Sequence, residues 1–393
     1  MTAKIIIAGA GLGGLAAASC LLKAGYEVEL YEQAPALGEV GAGIQISANA
    51  FHVMRHLGLE DELLKVGVRP GAYVFRLHDT GEELQRFALS EDHERKHGAP
   101  YIQLHRADLH DLLVAKAREL KADVVRLNHK AVGFTDRDGS IELRFAHGAS
   151  ARGDLLIGAD GLKSAIRAQL FGNVQPTYTG DGVWRITAPT ERVPPASRLD
   201  QVMSVFMGPG GHAVCYYLRS GALLNFGGTV EAPVSEESWT LKFPWENLKA
   251  DFAGWHPAIQ AIIDAADHNE CYRWSLHNRP PIRTWSKGCV TILGDAAHPT
   301  LPYLAQGAAM AIEDGAVLTR ALEQEHSIPE ALDLYQRNRV DRTARVVEQS
   351  NANQKLFHLH SAQEIRQKFA KRDEGSDRNS WLYSYNPLTV ELK

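Results

Sequence analysis

The glycine pattern near the N-terminus restricts the fold of this chain more than any other sequence feature. Lys4 to Ala8 is a β-branched apolar run, typical of a buried parallel strand, and Leu15 to Lys23 has a helical composition. The turn between them, Gly9 to Gly14, reads GAGLGG, and Gly25 ends the helix before a second strand over Glu27 to Tyr31. A strand, helix and strand of this length form a right-handed βαβ unit, which predicts a doubly wound α/β fold.

The turn contains the spacing of a dinucleotide-binding motif. Gly9, Gly11 and Gly14 fit the pattern G-x-G-x-x-G: the first allows the tight turn, the second lets the backbone approach a pyrophosphate, and the third permits close packing of helix on strand. Glu32 follows the second strand, where its carboxylate can accept hydrogen bonds from both hydroxyls of an adenosine ribose. The alternative is a packing turn with a surface glutamate. The two features together favour binding of NAD or FAD.

Two glycine–aspartate pairs far downstream favour FAD over NAD. Asp160 lies in the segment DLLIGADGLKSAIR, and Asp295 lies in LGDAAHPTLPYLAQGAAMAIEDG; each follows an apolar, strand-like run. A protein that binds NAD alone would need neither motif. A helix N-cap is the alternative role for Asp295. For His298, in the same segment, we predict an ordinary packed histidine without a catalytic role.

The sequence pattern changes near residue 175. From Gln175 to Asn225, short strand-like runs are separated by Pro and Gly, which predicts an antiparallel sheet in a second domain, and a helix follows over Trp245 to Ala266. The later run CVTILGDAAH restores a buried strand, so the cofactor domain is predicted to be discontinuous. Further helices are predicted over Asn49 to Leu57, Arg106 to Leu120, Ala308 to Glu323 and Glu330 to Lys355. The predicted fold is α/β, with a Rossmann-like FAD-binding domain (residues 1–74, 101–176 and 275–323), an inserted antiparallel-sheet substrate domain (75–100 and 177–274) and a helical C-terminal region (324–393).

The composition argues against several classes of function. The formal net charge of −5 at pH 7 provides no basic stripe for a nucleic-acid backbone. No run reaches the ~18 apolar residues of a membrane span, and the apolar N-terminal run lacks the basic leader of a signal peptide. Four scattered cysteines form neither a disulfide framework nor a zinc motif and suit a reducing cytoplasm: Cys20, Cys215, Cys271 and Cys289. We expect a cytoplasmic monomer or homodimer without nucleic-acid or membrane partners.

Metal-dependent and hydrolytic chemistry are not predicted. The chain contains neither a G-x-S-x-G nucleophile turn nor an H-E-x-x-H zinc motif. His358 and His360 lie two apart on a predicted helix, so their side chains would diverge. No metal site is therefore predicted.

Taken with HRAD at His105 to Asp108, these motifs resemble the single-component (class A) FAD-dependent aromatic hydroxylases over almost the whole chain. The segments LHNRPPIRTWSKG, AQGAAMAIEDGAVLTRAL, SNAN and NSWLYSYNPL are similar to those of 6-hydroxynicotinate 3-monooxygenases and 3-hydroxybenzoate hydroxylases, and the family includes salicylate hydroxylases. The resemblance implies FAD as cofactor and O2 as oxygen source. It also implies NADH or NADPH as a co-substrate that docks without a Rossmann domain of its own.

The resemblance implies roles for several residues around the flavin. Asp295 would accept a hydrogen bond from the ribityl chain of FAD, and Arg106 would approach the ADP half of FAD. Asp160 belongs to the DG motif, which would contribute to the binding of both FAD and the nicotinamide nucleotide. The helix that begins near Gly307 and Ala308 would direct its positive end at the flavin edge where negative charge appears on reduction.

Two polar residues on one predicted strand are candidates for the catalytic site. His212 and Tyr216 lie four apart in GGHAVCYYL, so they share a face, and the spacing is similar to that of the substrate-contacting pair in the 3-hydroxybenzoate and 6-hydroxynicotinate enzymes. In this family a C4a-hydroperoxyflavin attacks a ring that a phenolate activates, so His212 would accept the phenolic proton and Tyr216 would hydrogen-bond the oxygen. The alternative is an edge strand with two ordinary polar residues.

Three further residues are predicted to line the substrate: Gln45, Pro302 and Tyr303. Gln45 and Tyr303 stand where the 6-hydroxynicotinate enzymes have histidine, so the resemblance implies a small aromatic or N-heteroaromatic hydroxy acid without identifying it. Two other functions stay open at this point. One is a flavoprotein reductase or oxidase on the same fold, and the other is a non-catalytic FAD-binding sensor or scaffold.

Overall fold

The computed structural model describes residues 3–38, 43–137, 139–233, 235, 241–371 and 379–393. The strands in these ranges are β1 Lys4–Ala8, β2 Glu27–Tyr31, β3 Gly43–Ile46, β4 Ala72–Leu77, β5 Glu83–Ala88, β6 Ile102–His105, β7 Val125–Arg126, β8 Ala131–Arg137, β9 Ser140–Phe145, β10 Ser150–Gly153, β11 Leu155–Gly158, β12 Thr177–Pro189, β13 Met203–Gly208, β14 Gly211–Leu218, β15 Leu223–Glu231, β16 Tyr272–Asn278, β17 Ser286–Lys287 and β18 Val290–Ile292. The α-helices are α1 Leu12–Lys23, α2 Ala48–His56, α3 Glu60–Val66, α4 Glu91–His97, α5 Arg106–Leu120, α6 Ala165–Phe171, α7 Trp245–Asp251, α8 Pro257–Ala265, α9 Gly307–Gln324, α10 Ile328–Phe357, α11 Ala362–Ala370 and α12 Ser380–Tyr383.

A six-stranded sheet in the order β17-β18-β11-β1-β2-β7 forms the first layer. The strand β1 pairs in parallel with β2 and β11, and β11 pairs in parallel with β18, so three separated parts of the chain build one sheet. Ile5, Ile6 and Ile7 are fully buried because helices cover both faces. The predicted βαβ unit and the discontinuous, Rossmann-like character of this region are confirmed.

A seven-stranded sheet in the order β16-β12-β15-β14-β13-β4-β5 forms the second layer. Its pairs are antiparallel, as predicted, except that β4 and β13 run in parallel. One face buries Trp184, Phe206 and Phe226 against α7 and α8. The other face carries Val183, Tyr216 and their neighbours and is turned towards the first sheet and α10. The proposed domain limits at residues 74, 100, 176 and 274 stay a prediction.

The helix predicted over Trp245 to Ala266 is wrong as a single element, because the chain forms two helices, α7 and α8. Gly254, between them, has a φ of +78°, which a continuing helix does not allow. Pro257 then starts α8, where its missing N–H costs nothing. The other predicted helices agree with α2, α5, α9 and α10 to within a few residues, the usual uncertainty of helix ends. In the described part of the chain, no helix is both long and apolar enough to cross a membrane.

A buried ionic cluster joins α9 to α10. Arg339 Nε donates to Asp314 Oδ1 at 2.7 Å, and its guanidinium lies 2.6 Å from Glu313 Oε2. Arg342 donates to both carboxylate oxygens of Glu313, at 2.8 and 2.9 Å. Burial alone would raise the pKa of Asp314, but His298 and Arg339 outweigh it and lower that pKa to about 2. The two acidic side chains are therefore held as paired anions inside the fold.

The same cluster reaches the turn that follows β18. His298 Nε2 lies 2.5 Å from Asp314 Oδ2, and Gly294 N donates to the same oxygen at 3.0 Å. Gly294 has a φ of +58°, and the carboxylate holds it in that conformation beside Asp295. His298 is buried, as its predicted packing role requires.

Candidate active site

A cavity of about 420 Å³ lies between the two sheets. One side consists of residues that follow β1, β11 and β18 at their carboxyl ends, where open α/β sheets bind their ligands. The other side is a face of the seven-stranded sheet. The cavity brings most of the predicted site residues together: Gly11, Gly14, Gln45, Arg106, His212, Tyr216, Asp295, Pro302, Tyr303, Gly307 and Ala308. Gly9, Glu32 and Asp160 are the exceptions.

The glycine turn leaves space where a pyrophosphate would lie. A Cβ on Gly9 would stand 2.3 Å from the carbonyl oxygen of Ala159, and one on Gly14 would stand 2.0 Å from that of Gly9. A Cβ on Gly11 would meet no atom within 4 Å. Gly11 is also the N-cap of α1, without a side-chain cap or an acidic residue in the first turn. The unpaired N–H groups of this helix start are thus available to an anion.

Glu32 lies beside this turn, at the end of β2. Its Oε2 accepts a hydrogen bond from the backbone N–H of Ala10 at 2.8 Å, and its Oε1 accepts one from that of Ala34 at 2.9 Å. These bonds hold the carboxylate next to the glycine turn, at the position where the sequence places the ribose contact.

Asp160 is directed towards α6 and away from the cavity. Its carboxylate accepts hydrogen bonds from Ser164 Oγ at 2.5 Å and from the backbone N–H of Ala165 at 2.8 Å. Burial raises the pKa of Asp160, although these hydrogen bonds act in the opposite direction. Ala159 and Gly161, on either side of it, line the cavity. Asp160 therefore shapes the turn around the cavity through the start of α6.

The start of α9 faces the cavity with its positive end. Gly307 and Ala308 line the cavity, and the first turn contains neither an acidic residue nor a side-chain cap. The N-cap, Gln306, is buried: its Nε2 donates to Ser47 Oγ at 3.0 Å, and its Oε1 accepts from Asn49 Nδ2 at 2.9 Å. A helix start held in this way can stabilise negative charge on a ligand.

His212 and Tyr216 lie on β14 and face the cavity, as their spacing predicts. Tyr216 packs on Gly43, where a Cβ would stand 2.5 Å from the phenol ring. The backbone N–H of Gly43 donates to Asn225 Oδ1 at 2.7 Å, and Asn225 is the partner of Tyr216 in the β14–β15 register. These contacts fix the ring of Tyr216 between the sheet and β3.

His212 lies in an aromatic cluster. Its ring centroid is 5.3 Å from that of Tyr303, 5.0 Å from that of Phe357 and 5.6 Å from that of His358. Burial, reinforced by His358, lowers the pKa of His212 well below its usual value of 6.5. Its Nδ1 is buried and has no hydrogen-bond partner among the described residues. The imidazole is therefore neutral near pH 7 and able to accept a proton.

Tyr303 presents its ring to the cavity and directs its hydroxyl elsewhere. The hydroxyl donates to Asp181 Oδ2 at 2.9 Å, and Gln354 Nε2 donates to the same oxygen at 2.5 Å. His358 Nδ1 lies 3.3 Å from Asp181 Oδ1. Burial would raise the pKa of Asp181, but His358, Tyr303 and Gln354 lower it. Asp181 thus remains ionised beside the hydroxyl of Tyr303 and the imidazole of His358.

The sequence interpretation missed Asp181 and His358, and it was wrong about the helix at His358 and His360. The helix α10 ends at Phe357, and His358, just beyond it, packs between Asp181 and the ring of His212. The signal for this change was weak, because neither Gly nor Pro marks the helix end. Asp181 lies within an irregularity in the pairing of β12 with β16, between Tyr178 and Gly182, that no local pattern indicates.

The interpretation also missed Arg185. This residue lies on β12, lines the cavity, and has its guanidinium 5.2 Å from the ring centroid of Trp274. A signal was present, because GVWRITA places an arginine within an otherwise apolar strand.

Known proteins share both the sequence and the fold. A family profile described as an FAD binding domain matches residues 2–350. The chain is 37% identical over 368 residues to 6-hydroxynicotinate 3-monooxygenase of Bordetella bronchiseptica, covering 89% of this chain and 91% of the relative. It is 36% identical over 389 residues to 3-hydroxybenzoate 6-hydroxylase of Polaromonas naphthalenivorans, covering 97% and 96%. The structure of Klebsiella pneumoniae HpxO complexed with FAD and uric acid superimposes with a TM-score of 0.86 and 27% identity, covering 98% and 97%.

These similarities extend over nearly the full length of each relative. They confirm the predicted resemblance and FAD as the cofactor, and the open space at Gly11 and the free start of α9 fit that group. The chain therefore belongs to the FAD-dependent aromatic hydroxylases, a family of flavoprotein monooxygenases.

Proposed function

We propose that the protein hydroxylates a small aromatic or N-heteroaromatic hydroxy acid, with NADH or NADPH as reductant and O2 as oxygen source. The observation that carries this proposal is the neutral imidazole of His212, whose Nδ1 has no hydrogen-bond partner in the described part of the chain, beside Tyr216 in the same cavity as the glycine turn and the start of α9. Relatives named for 6-hydroxynicotinate and 3-hydroxybenzoate support the substrate class. When bound, FAD supplies the redox chemistry that activates O2 for transfer of one oxygen atom.

The chain's own residues prepare the ring for attack by an electrophilic oxygen. Loss of the phenolic proton makes the ring electron-rich, and His212 accepts that proton through a free ring nitrogen. Burial raises the pKa of Tyr216, so its hydroxyl stays protonated and can donate a hydrogen bond to the phenolate oxygen. The rings of Tyr303 and Phe357 cover His212 and limit the access of water to it.

The residues around the substrate favour an acid other than 6-hydroxynicotinate. Gln45 and Tyr303 line the cavity where the resemblance to the 6-hydroxynicotinate enzymes would place histidines. Pro302, next to Tyr303, narrows the cavity from the side of α9. An uncharged amide and an aromatic ring in place of two imidazoles change the hydrogen bonds that a substrate ring can receive.

A screen of hydroxylated benzoates and hydroxylated pyridinecarboxylic acids tests the proposal. At least one compound should stimulate NAD(P)H oxidation by the holoenzyme about tenfold or more and yield a ring-hydroxylated product in amounts close to the NAD(P)H consumed. Oxygen uptake, product and hydrogen peroxide are measured together. Peroxide equal to the NAD(P)H consumed, for every compound, would instead indicate an oxidase or reductase. Oxidation that no compound stimulates would indicate a flavin-binding sensor.

Gly11→Ala should weaken FAD binding by about tenfold or more without lowering the melting temperature of the apoprotein. The added methyl group meets no protein atom within 4 Å, so the fold tolerates it, but it occupies space that a pyrophosphate needs. Titration of the apoprotein with FAD, followed by flavin fluorescence, measures the change. The matched variant Gly71→Ala adds a methyl group outside the cavity at a residue without a positive φ, where the nearest atom is the carbonyl oxygen of Gln201 at 3.8 Å, and it should retain the FAD affinity of the unaltered protein. Equal affinities in both variants would contradict the placement of the pyrophosphate.

We place the protein in the cytoplasm as a monomer or homodimer, and the free state of its four cysteines supports a reducing compartment. We also propose the division into an FAD-binding domain, an inserted substrate domain and a helical C-terminal region, which the two separate sheets support.

A further inference from the structure

We propose that Arg185 binds the carboxylate of the substrate, so that the aromatic acid lies across the seven-stranded sheet with its carboxylate at β12 and its hydroxyl at β14. This inference deepens the proposed function and rests on it for the ring chemistry. Binding of the carboxylate can be measured without turnover, so the two can fail separately.

Arg185 is a cation without a counterion. It lines the cavity, and none of the described carboxylates forms an ion pair with it. Its Nε is buried without a hydrogen-bond partner. Buried charges in proteins are normally paired, because an isolated charge loses its hydration without compensation. The loaded site should therefore supply an anion at this position.

The surroundings of Arg185 strengthen this requirement. Burial lowers the pKa of Arg185; Tyr216 acts in the opposite direction, and the positive charge of Arg106 acts in the same direction as burial. The guanidinium lies 5.2 Å from the ring centroid of Trp274, which is on the next strand, β16. Contact with an aromatic face orients a guanidinium, and its planar set of donors matches the two oxygens of a carboxylate.

The surface of the sheet is open between Arg185 and the pair formed by His212 and Tyr216. Arg185 on β12 is opposite Gly227 on β15, and Gly227 is opposite Val214 on β14. A Cβ on Gly227 would meet only a backbone oxygen, that of Val214, at 4.0 Å, so the centre of this row is a depression that an aromatic ring can occupy. His212 and Tyr216 flank Val214 on the same face.

The dimensions suit a hydroxylated aromatic acid. Neighbouring strands lie about 4.8 Å apart, so β12 and β14 are separated by about 10 Å. The side chains of Arg185 and His212 reach inwards from these two strands and leave between them about the width of one ring with its two substituents. A ring over Gly227 would place its hydroxyl at His212 and Tyr216 when its carboxylate is at Arg185.

Ligand binding to the holoenzyme tests the proposal through the absorbance change of the bound flavin. The ligands are 3-hydroxybenzoate with 3-hydroxybenzamide, and 6-hydroxynicotinate with 6-hydroxynicotinamide. The unaltered protein should bind at least one acid more tightly than its amide. Arg185→Met should raise the Kd of that acid by roughly 30- to 100-fold and that of the amide by less than about threefold. Arg185→Lys, which retains the charge but loses the fork of donors, should be intermediate.

Arg273→Met is the matched control. Arg273 lies on β16, on the opposite face of the same sheet, with its guanidinium 4.5 Å from the ring centroid of Phe243. This variant should lose packing and melt at a lower temperature, while the Kd of each acid stays within about threefold of that of the unaltered protein. If Arg185→Met does not fold, the Kd values of acid and amide are compared in Arg185→Gln and Arg185→Lys instead.

Three results would overturn the proposal. The first is an equal loss of affinity for acid and amide, and the second is an unaltered protein that binds neither acid more tightly than its amide. The third is an altered flavin spectrum in Arg185→Met without ligand, which would show that the guanidinium pairs with the flavin. If the protein binds the acid through Arg185 but reduces O2 to hydrogen peroxide in an amount equal to the NAD(P)H oxidised, the carboxylate site is retained and the proposed hydroxylation is rejected.

Discussion

His212→Ala is expected to reduce coupled hydroxylation by about 10²- to 10⁴-fold, the usual contribution of a positioned general base, while the bound flavin keeps its spectrum. The imidazole is neutral because burial lowers its pKa, and its Nδ1 has no protein partner among the described residues, so the ring can accept a phenolic proton. Product formed per NAD(P)H consumed, together with the flavin spectrum, measures the effect.

His360→Ala is the control for this variant. His360 is exposed, 3.3 Å from Glu231, and its loss should leave coupled turnover unchanged. Because the pKa of His212 lies well below 6.5, kcat/KM of the unaltered protein should not fall between pH 8 and pH 6.5 through protonation of this group. Release of flavin from His212→Ala would show that the residue supports the cofactor, and unchanged coupling would show that another group accepts the proton.

Arg339→Met is expected to lower the free energy of unfolding by about 3–5 kcal/mol, the usual cost of removing one partner from a buried ion pair. The variant leaves Asp314 without its hydrogen bond from Nε, and it leaves Glu313 with one cation, Arg342, and the neutral donor Asn49 among the described residues. Both acidic residues are fully buried, so water cannot replace the lost partner. Denaturant unfolding and the melting temperature of the holoenzyme measure the loss.

The exposed Arg337 lies on the same helix, and Arg337→Met should change stability by less than about 0.5 kcal/mol. The double variant Arg339→Met with Asp314→Asn should regain part of the loss, because it no longer buries an uncompensated charge. FAD affinity should fall in Arg339→Met, since the cluster also holds the turn at Gly294 and the helix α9. A loss below about 1 kcal/mol would mean that the pairs contribute little.

Much of the cofactor-binding region follows from sequence alone. Three local features determine it: the apolar run before Gly9, the glycine spacing up to Gly14, and the second strand before Glu32. Each of these patterns is typical of one local structure. The start of α9 after Pro302 and the shared face of His212 and Tyr216 follow in the same way, from helix and strand periodicity. These features could be predicted because the residues that determine them are neighbours in sequence.

The tertiary structure alone decided how the charged groups are paired. Tyr303 turns its hydroxyl to Asp181 because a carboxylate from a distant strand lies there, and His358 reaches the same carboxylate because α10 ends one residue earlier. Arg185 looks like any arginine in a strand until the sheet, folded against the first layer, leaves it half-buried at the cavity, with its Nε unpaired and no counterion among the described residues. Secondary structure depends on near neighbours along the chain, whereas the partner of a charge depends on which distant segments share a buried space, and no local pattern specifies that.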